Sequence, residues 1–426
     1  MIQTRLFLLF ILTTHTACAT YSDHMAKVSN ELVQGNPSNA MDVLDKTPAA
    51  NRNQDTVVYL MERGMLKYLS QNFSGAANDW SKSHDRSEKL YTLSLSKTAL
   101  SLVASENSTD YEGEEHEKVL LPIFSALSYF ADGSLSKAMV EIRKTNQLIN
   151  RLKLDEDDDI SKPKIDGSPY FISGLLYEAN RDWDSAIIEY KKAITQYKKS
   201  ALANYTDTLK MVADSLWRIA EFRRRKDILQ FLVSAGFKKA NDTLEERNQD
   251  AEVFLVVEEG QSPVKVSRNF GINLASSVIN VAFPAYQRIS NPSTRHDVFC
   301  GTAQCGKTHI TSDIETLAVE ALERRRLSYF AKMTARLIVK EKMRQAARKH
   351  LGELGGLAVM AANFATEQAD TRSWTLLPAN IQVARIQVPA NKSTVLKLDQ
   401  SSPLQTQNWT VNLKPGAKKL IRIRFF

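Results

Sequence analysis

The stretch SPYFISGLLYEANRDWDSAIIEYKKAI (168–194) constrains the fold more tightly than any other part of the chain. Gly174, Tyr177, Ala186, Tyr190 and Ala193 stand at the offsets of a tetratricopeptide repeat, in which small residues let two antiparallel helices approach and aromatics fill the space between neighbouring pairs. One such pair cannot bury its own apolar face, so a clear unit implies neighbours. Two weaker copies precede it: Gly64, Ala76 and Trp80 in LMERGMLKYLSQNFSGAANDW, and Ala126, Tyr129 and Ala138 in FSALSYFADGSLSKAM. Fainter pairs are expected at GNPSNAMDVL and MVADSLWRIAEFRRRKDILQFLVSAG. Ala76, Ala138 and Ala186 lie 62 and 48 residues apart, so the array is degenerate and carries insertions.

In arrays of this kind the first helix of each pair lines a concave groove. The spacing places Val58, Met61, Met65, Tyr68, Leu120, Ile123, Leu127, Phe130, Phe171 and Leu175 there. Two readings of this apolar stripe stay open: a groove that receives a partner's segment, and a core face filled by the chain's own C-terminal half.

From Glu252 the texture changes to strands. EVFLVVEEGQSPVKVS reads as two strands around a Gly/Pro turn and SVINVAFPAY as a third. IQVARIQVPANKSTVLKL and WTVNLKPGAKKLIRIRFF read as consecutive hairpins, with Ile421, Ile423 and Phe425 alternating with Arg422 and Arg424 as in a sheet with one buried face. A long helix is expected from Asp313, opened by a capping box of Ser312 and Glu315 and carrying Lys332, Arg336, Lys340, Arg344 and Arg348 in one tilted stripe. The expected fold class is α+β. A tetratricopeptide-like α-helical repeat domain (18–250) precedes a β-rich, sandwich-like domain (251–426) with a helical insertion at 313–371. A hydrophobic fraction of 43% and few glycines and prolines suit two such domains and argue against long disorder. The net charge of +8 is moderate and does not by itself indicate nucleic acid.

The start, MIQTRLFLLFILTTHTACATYSDH, has the layout of a secretory signal over residues 1–17: Arg5, a short apolar run, then small and hydroxylated residues. That run is far shorter than the ~20 apolar residues a bilayer span needs. Cys18 is the candidate lipidated first residue of a bacterial lipoprotein, and cleavage after Ala19 is the competing reading; both put the mature chain outside the cytosol.

GTAQCGKT (301–308) matches the phosphate-loop pattern G-x-x-x-x-G-K-[ST], with Lys307 and Thr308 in the phosphate and Mg²⁺ positions. A true loop of that kind leads directly into a helix, whereas strand-like HIT follows here. An antiparallel hairpin with a four-residue GTAQ turn would oppose Cys300 to Cys305 and His296 to His309, and in an oxidising compartment the two thiols should join. Four residues of strand would hold the histidines about 13 Å from the cysteines, too far for one zinc ion. LDEDDDISKPKID sets Asp155, Asp157, Asp159 and Asp166 at calcium-loop positions, but Ile160 occupies the place of the required Gly, so a solvated acidic linker is expected.

CATYSDH, YEGEEHEKVLL, ALSYFADGSLSKAMVEIRKTNQ, VAFPAY and TEQADTRSWTLLPANIQVARIQVP, in that order, resemble an uncharacterised family of bacterial outer-membrane lipoproteins with tetratricopeptide-like repeats. Relatives tend to be encoded near lipoprotein activators of penicillin-binding proteins. The resemblance implies lipidation at Cys18, an outer-membrane, periplasm-facing location and a link to cell-wall synthesis. The function expected is a non-enzymatic scaffold or adaptor that binds an envelope protein, without cofactor, metal, nucleotide or nucleic acid. The alternative is a P-loop-like nucleotide-binding protein or an envelope hydrolase, although no Ser/His/Asp or paired-carboxylate arrangement stands out.

Overall fold

Five helical turns close with the same hydrogen bond. In the computed structural model, which describes residues 19–96, 109–154, 165–199, 205–274, 277–289, 294–326, 369–398 and 407–426 together with 342, 345 and 349, the helices come in pairs. These are α1 (Tyr21–Val33) with α2 (Pro37–Asp45), α3 (Thr56–Leu69) with α4 (Phe73–Ser96), and α5 (Glu115–Ala131) with α6 (Leu135–Leu154). Then come α7 (Ser168–Ala179) with α8 (Trp183–Lys199), α9 (Thr206–Phe222) with α10 (Lys226–Ser234), and a short α11 (Leu244–Gln249). At each turn one residue adopts a left-handed backbone: Gly35, Gln71, Gly133, Arg181 and Arg224. The amide of the next residue reaches back five positions, Asn36 to Glu31, Asn72 to Lys67, Ser134 to Tyr129, Asp182 to Tyr177 and Arg225 to Ala220, at 2.7–2.9 Å. This satisfies a carbonyl that the helix end would otherwise leave bare. Within pairs the helices touch closely. A Cβ on Gly64 would lie 2.3 Å from the Trp80 ring, and one on Gly174 would lie 2.5 Å from Tyr190.

Among the described residues, the C-terminal half holds three sheets. One has the order β10-β1-β7-β6, from β1 (Ala251–Glu259), β6 (His309–Asp313), β7 (Asn380–Val388) and β10 (Lys418–Phe425). A second has the order β5-β4-β8-β9, from β4 (Asp297–Cys300), β5 (Ala303–Lys307), β8 (Thr394–Leu398) and β9 (Asn408–Val411). β2 (Val264–Leu274) and β3 (Ser277–Gln287) form a separate hairpin. β1 lies between β10, to which it runs parallel, and the antiparallel β7. Val253, Leu255, Val257, Ala384, Ile386 and Ile421 of the first sheet pack with Val298, Leu396, Leu398 and Val411 of the second. The two sheets therefore share one apolar layer.

Three expectations are corrected here. β7 and β8 do not form a hairpin, nor do β9 and β10, because each neighbouring pair crosses from one sheet to the other. Arg422 and Arg424 do not face solvent: the helices cover the second face of their sheet, so a period of two here separates two buried faces. Ser312 does not cap a helix. It ends inside β6, its hydroxyl donates to Asp166 (2.8 Å), and the helix over 314–326 is capped by Asp313, which accepts from the Thr316 amide at 3.0 Å. Most of the 313–371 insertion and its basic stripe lie outside the described residues, as do Cys18, Asp155, Asp157 and Asp159. No helix among the described residues is long and apolar enough to cross a membrane.

Candidate functional site

The apolar stripe on the first helices is occupied. Residues 369–379, which form neither helix nor strand, run as a strap over α3 and α5 and are held through their own backbone. Glu62 accepts the amides of Thr375 (2.6 Å) and Leu376 (3.1 Å) and the Tyr21 hydroxyl (3.0 Å). Glu117 accepts the Trp374 amide at 2.7 Å and the Tyr111 hydroxyl at 2.6 Å. Burial pushes the Glu62 carboxyl up to about 8, against the pull of the two amides and Tyr21. The Trp374 ring seats against Trp80 and Phe124, with centroids 5.8 and 5.7 Å apart. Arg372 anchors the start of the strap to Asp55 (2.9 Å) and Asp370 (2.7 Å) and donates to the carbonyl of Thr109 at 3.0 Å.

Beside the strap, the second face of the first sheet meets the helices through charges. Arg385 donates to Glu178 (2.6 Å), Glu252 (2.8 Å) and the Ser215 hydroxyl. Lys418 bridges the same two carboxylates at 3.0 and 2.6 Å. Burial opposes ionisation of Glu178, yet Arg385 and Lys418 outweigh it and hold the carboxyl down at about 2. Further along β10 from Lys418, Arg422 stacks on the Tyr68 ring (4.0 Å to its centroid) and pairs with Glu258, which also accepts the Tyr68 hydroxyl at 2.8 Å. Arg424 is half-buried and donates to the carbonyls of Leu376 and Leu377, and burial drives its guanidinium down to about 10.

These contacts correct the partner-groove reading. Val58, Met61, Met65, Tyr68, Leu120, Ile123, Leu127, Phe171 and Leu175 are buried, Phe130 is half-buried, and all ten share a core with Phe254, Val256, Trp374, Leu376 and Ile381 of the C-terminal half. Phe130 lies against Phe254 with centroids 6.3 Å apart. Among the described residues, the chain's own strap and sheet cover these ten positions. The residues that do this, Glu62, Glu117, Glu178, Trp374 and Arg385, were not singled out from the sequence. For Glu62, Glu178 and Arg385 the available signal is a charge beside apolar residues of the same helix or strand; Glu117, in the charged run EGEEHEK, and Trp374 carry no such signal.

Cys300 and Cys305 are joined by a disulfide with Cα atoms 5.7 Å apart, in a register other than the one expected. The turn holds only Gly301 and Thr302. Cys300 pairs with Ala303, and Cys305 is the extra residue of a bulge between the Phe299–Gln304 and Val298–Gly306 pairs. His296 therefore sits opposite Thr308, whose amide donates to its carbonyl at 2.9 Å, while His309 pairs with Val383 on β7. The two histidines and two cysteines do not converge. The phosphate-loop motif is this hairpin: Lys307 ends β5, and the Thr308 hydroxyl is buried, donating to Gln382 (2.6 Å) and accepting the His296 amide (2.8 Å). Asp166 is likewise a buried structural acceptor, taking bonds from the Ser168 amide (2.9 Å) and the Ser312 and Tyr205 hydroxyls.

Among the described residues, one open cleft lies largely on the second helices α8 and α10. This cleft of about 520 Å³ is lined by Tyr170, Ile187, Ile188, Lys191, Lys192 and Ile228, among others, and Ile188 is 54% exposed. No family model and no curated protein matches the chain. Among solved structures, MamA (41-end) from Desulfovibrio magneticus RS-1 is similar over 50% of this chain and 91% of its own, with 10% identity and a TM-score of 0.30. That likeness is too low to support an argument.

Proposed function

We propose that the chain is a non-enzymatic interaction scaffold of the cell envelope. Its tetratricopeptide-like helix pairs and sandwich-like sheets would act as one rigid body, held by a lipid on Cys18 to the periplasmic face of the outer membrane. The observation that carries this reading is the combination of a sealed inner face with an exposed outer cleft. Buried charges lock the inner face to the chain's own C-terminal half, and what remains for a partner is an apolar floor at Ile187 and Ile188 rimmed by lysines. The link to cell-wall synthesis rests on the family resemblance alone. A photo-crosslinking residue at position 188, tested in intact envelopes, should give one defined protein adduct, and the same residue at exposed Lys46 should not. Equal adduct patterns at both positions would refute the scaffold reading. Mass spectrometry of the mature N-terminus tests the anchor, with a lipidated Cys18 the expected species and an unprocessed Met1 the contrary one.

A further inference from the structure

A second cleft opens where α9, the disulfide hairpin and β7 meet. It holds about 260 Å³, somewhat less than a typical drug-sized site and room for one small anionic group, and five of its lining side chains are cations: Lys210, Arg218, Arg247, Lys307 and Arg385. Asp207, Asp214 and His309 complete its polar wall. The cations are matched by carboxylates, Lys210 by Asp214 (2.6 Å), Arg218 by Asp242 (2.6 Å), and Arg385 by Glu178 and Glu252. Net charge is therefore not what the cleft offers a ligand. Unspent donors are.

Among the described residues, Arg218 donates only through Nε, to Asp242, and its two terminal nitrogens make no hydrogen bond. Arg247 donates through both terminal nitrogens, to Asp242 (3.1 Å) and Glu252 (3.0 Å), while its Nε is buried without a partner. Among the described residues, the acceptor nearest Lys307 is Asp297 at 3.7 Å, beyond hydrogen-bonding distance. The His309 Nδ1 is also buried without a partner, 3.8 Å from Asp207. Crowding shows in the titration of Arg218, whose guanidinium is lowered by burial and then by the charges of Arg247 and Arg385. The hairpin bulge contributes too, since it carries Gly306 and Lys307 to the cleft wall, and a Cβ on Gly306 would lie 2.3 Å from Ile386.

We propose that this cleft binds an oxyanion group, phosphate or carboxylate, of a small ligand, with Arg218 as the main donor and Lys307 and Lys210 at the rim. A guanidinium with its terminal nitrogens unengaged matches two oxygens of either group, and hydrogen bonds to a charged acceptor are the strong ones. The site is independent of the outer cleft and of the scaffold reading.

The test is calorimetric titration of the full-length, disulfide-bonded chain with inorganic phosphate and, separately, with malonate, in chloride buffer. Saturable one-to-one heat with either anion is expected, and the better binder names the group. R218K, which keeps the charge beside Asp242 but removes the paired donors, should weaken that anion roughly tenfold, and K307A about threefold. K307A alters an exposed strand end and so should leave the melting curve unchanged, which keeps the test valid if R218K unfolds. K191A, in the other cleft, should bind as the unaltered chain does. No saturable heat with either anion, or equal weakening by K307A and K191A, would overturn the proposal.

Discussion

The charged seam between sheet and helices makes its sharpest prediction at Arg385. Replacing it with Met keeps most of the volume but removes the guanidinium's own donors to Glu178 and Glu252, two carboxylates that are themselves almost wholly buried. Breaking a buried ion pair from one side costs about 3–5 kcal/mol, because the abandoned charge stays buried. Lys418 still bridges both carboxylates and Arg247 still holds Glu252 at 3.0 Å, so the lower end, about 3 kcal/mol, is expected. Urea unfolding followed by tryptophan fluorescence reads both sides of the seam: Trp80 and Trp374 lie in the inner face, and Trp409 packs at the edge of the sheet core. Far-UV circular dichroism, which is dominated by the helices, should report the same midpoint if the halves unfold as one. A cycle with Glu178→Gln supplies the second number: the double substitution should cost less than the summed singles by at least about 1 kcal/mol. The pH dependence has a definite sign. The Glu178 carboxyl is lowered in the fold from 4.5 to about 2, so its contribution is present above pH 4.5 and is lost as pH falls from 4.5 towards 2. Arg385→Met should flatten that limb. A loss below about 1 kcal/mol, or additive singles, would refute the claim that this network joins the halves.

Further outcomes follow from the same contacts. Trp374→Ala empties the centre of an aromatic cluster and should cost about 3–5 kcal/mol by denaturant midpoint, with the strap amides losing hydrogen-exchange protection. Burial lowers His116 from 6.5 to about 4, so its contribution is complete above pH 6.5 and falls away between 6.5 and 4; His116→Gln should shallow the melting-temperature slope across that window, and an unchanged slope would exclude His116 as its source. Cys300→Ser closes no large loop and should cost only about 2 kcal/mol, read as a modest shift of a single thermal transition. Gly174→Ala would drive a methyl into the Tyr190 ring and should cost about 1–3 kcal/mol, whereas Gly35→Ala meets no neighbour and should lose only the backbone term of a left-handed position.

The helix pairs were legible where packing demands a small residue and fainter where it does not. Gly64 and Gly174 marked their pairs because an aromatic ring lies over each, and the buried alanines Ala76, Ala138 and Ala186 marked the second helices. The first and last pairs close with the same five-back hydrogen bond, yet their interhelical packing carries no equally specific letters. The turns gave no help, since three of the five left-handed positions are filled by Gln71, Arg181 and Arg224, which pay a local backbone penalty that no turn motif announces. Strand positions were legible for a related reason, because the period of two follows from the pleat. Strand partners were not. Sequence neighbours favour hairpins by loop length alone, and only packing decides that β7 and β10 flank β1 while β8 and β9 lie in the opposite sheet.

The choice between an open groove and a filled one was the harder problem, and the discriminating letters were charges. An apolar stripe such as Met61, Met65 and Tyr68 reads the same whether a partner or the chain itself covers it. Glu62 and Glu178, however, sit on those same helices, and Arg385, Lys418 and Arg422 alternate along their strands with the apolar residues Ala384, Ile386, Ile421 and Ile423. Glu178 on the helical half and Arg385 and Lys418 on the strand half are of complementary sign and pair across the seam. Neither set has a reason to be buried without the other, since an unpaired charge in a core costs several kcal/mol. Glu62 and Glu117 extend the logic to a segment with no compensating side chain: the strap meets them with the amides of Trp374, Thr375 and Leu376, a backbone donor set that any extended peptide carries. Specificity for this strap must then come from Trp374 and Arg372, the two side chains that fill the aromatic cluster and reach Asp55. A free peptide spanning 369–379 should therefore compete poorly with the tethered strap, because it lacks the effective concentration that the continuous chain supplies. It should protect the Trp374→Ala chain against urea more than it protects the unaltered one. Equal protection of both, or of neither, would place the strap's hold elsewhere.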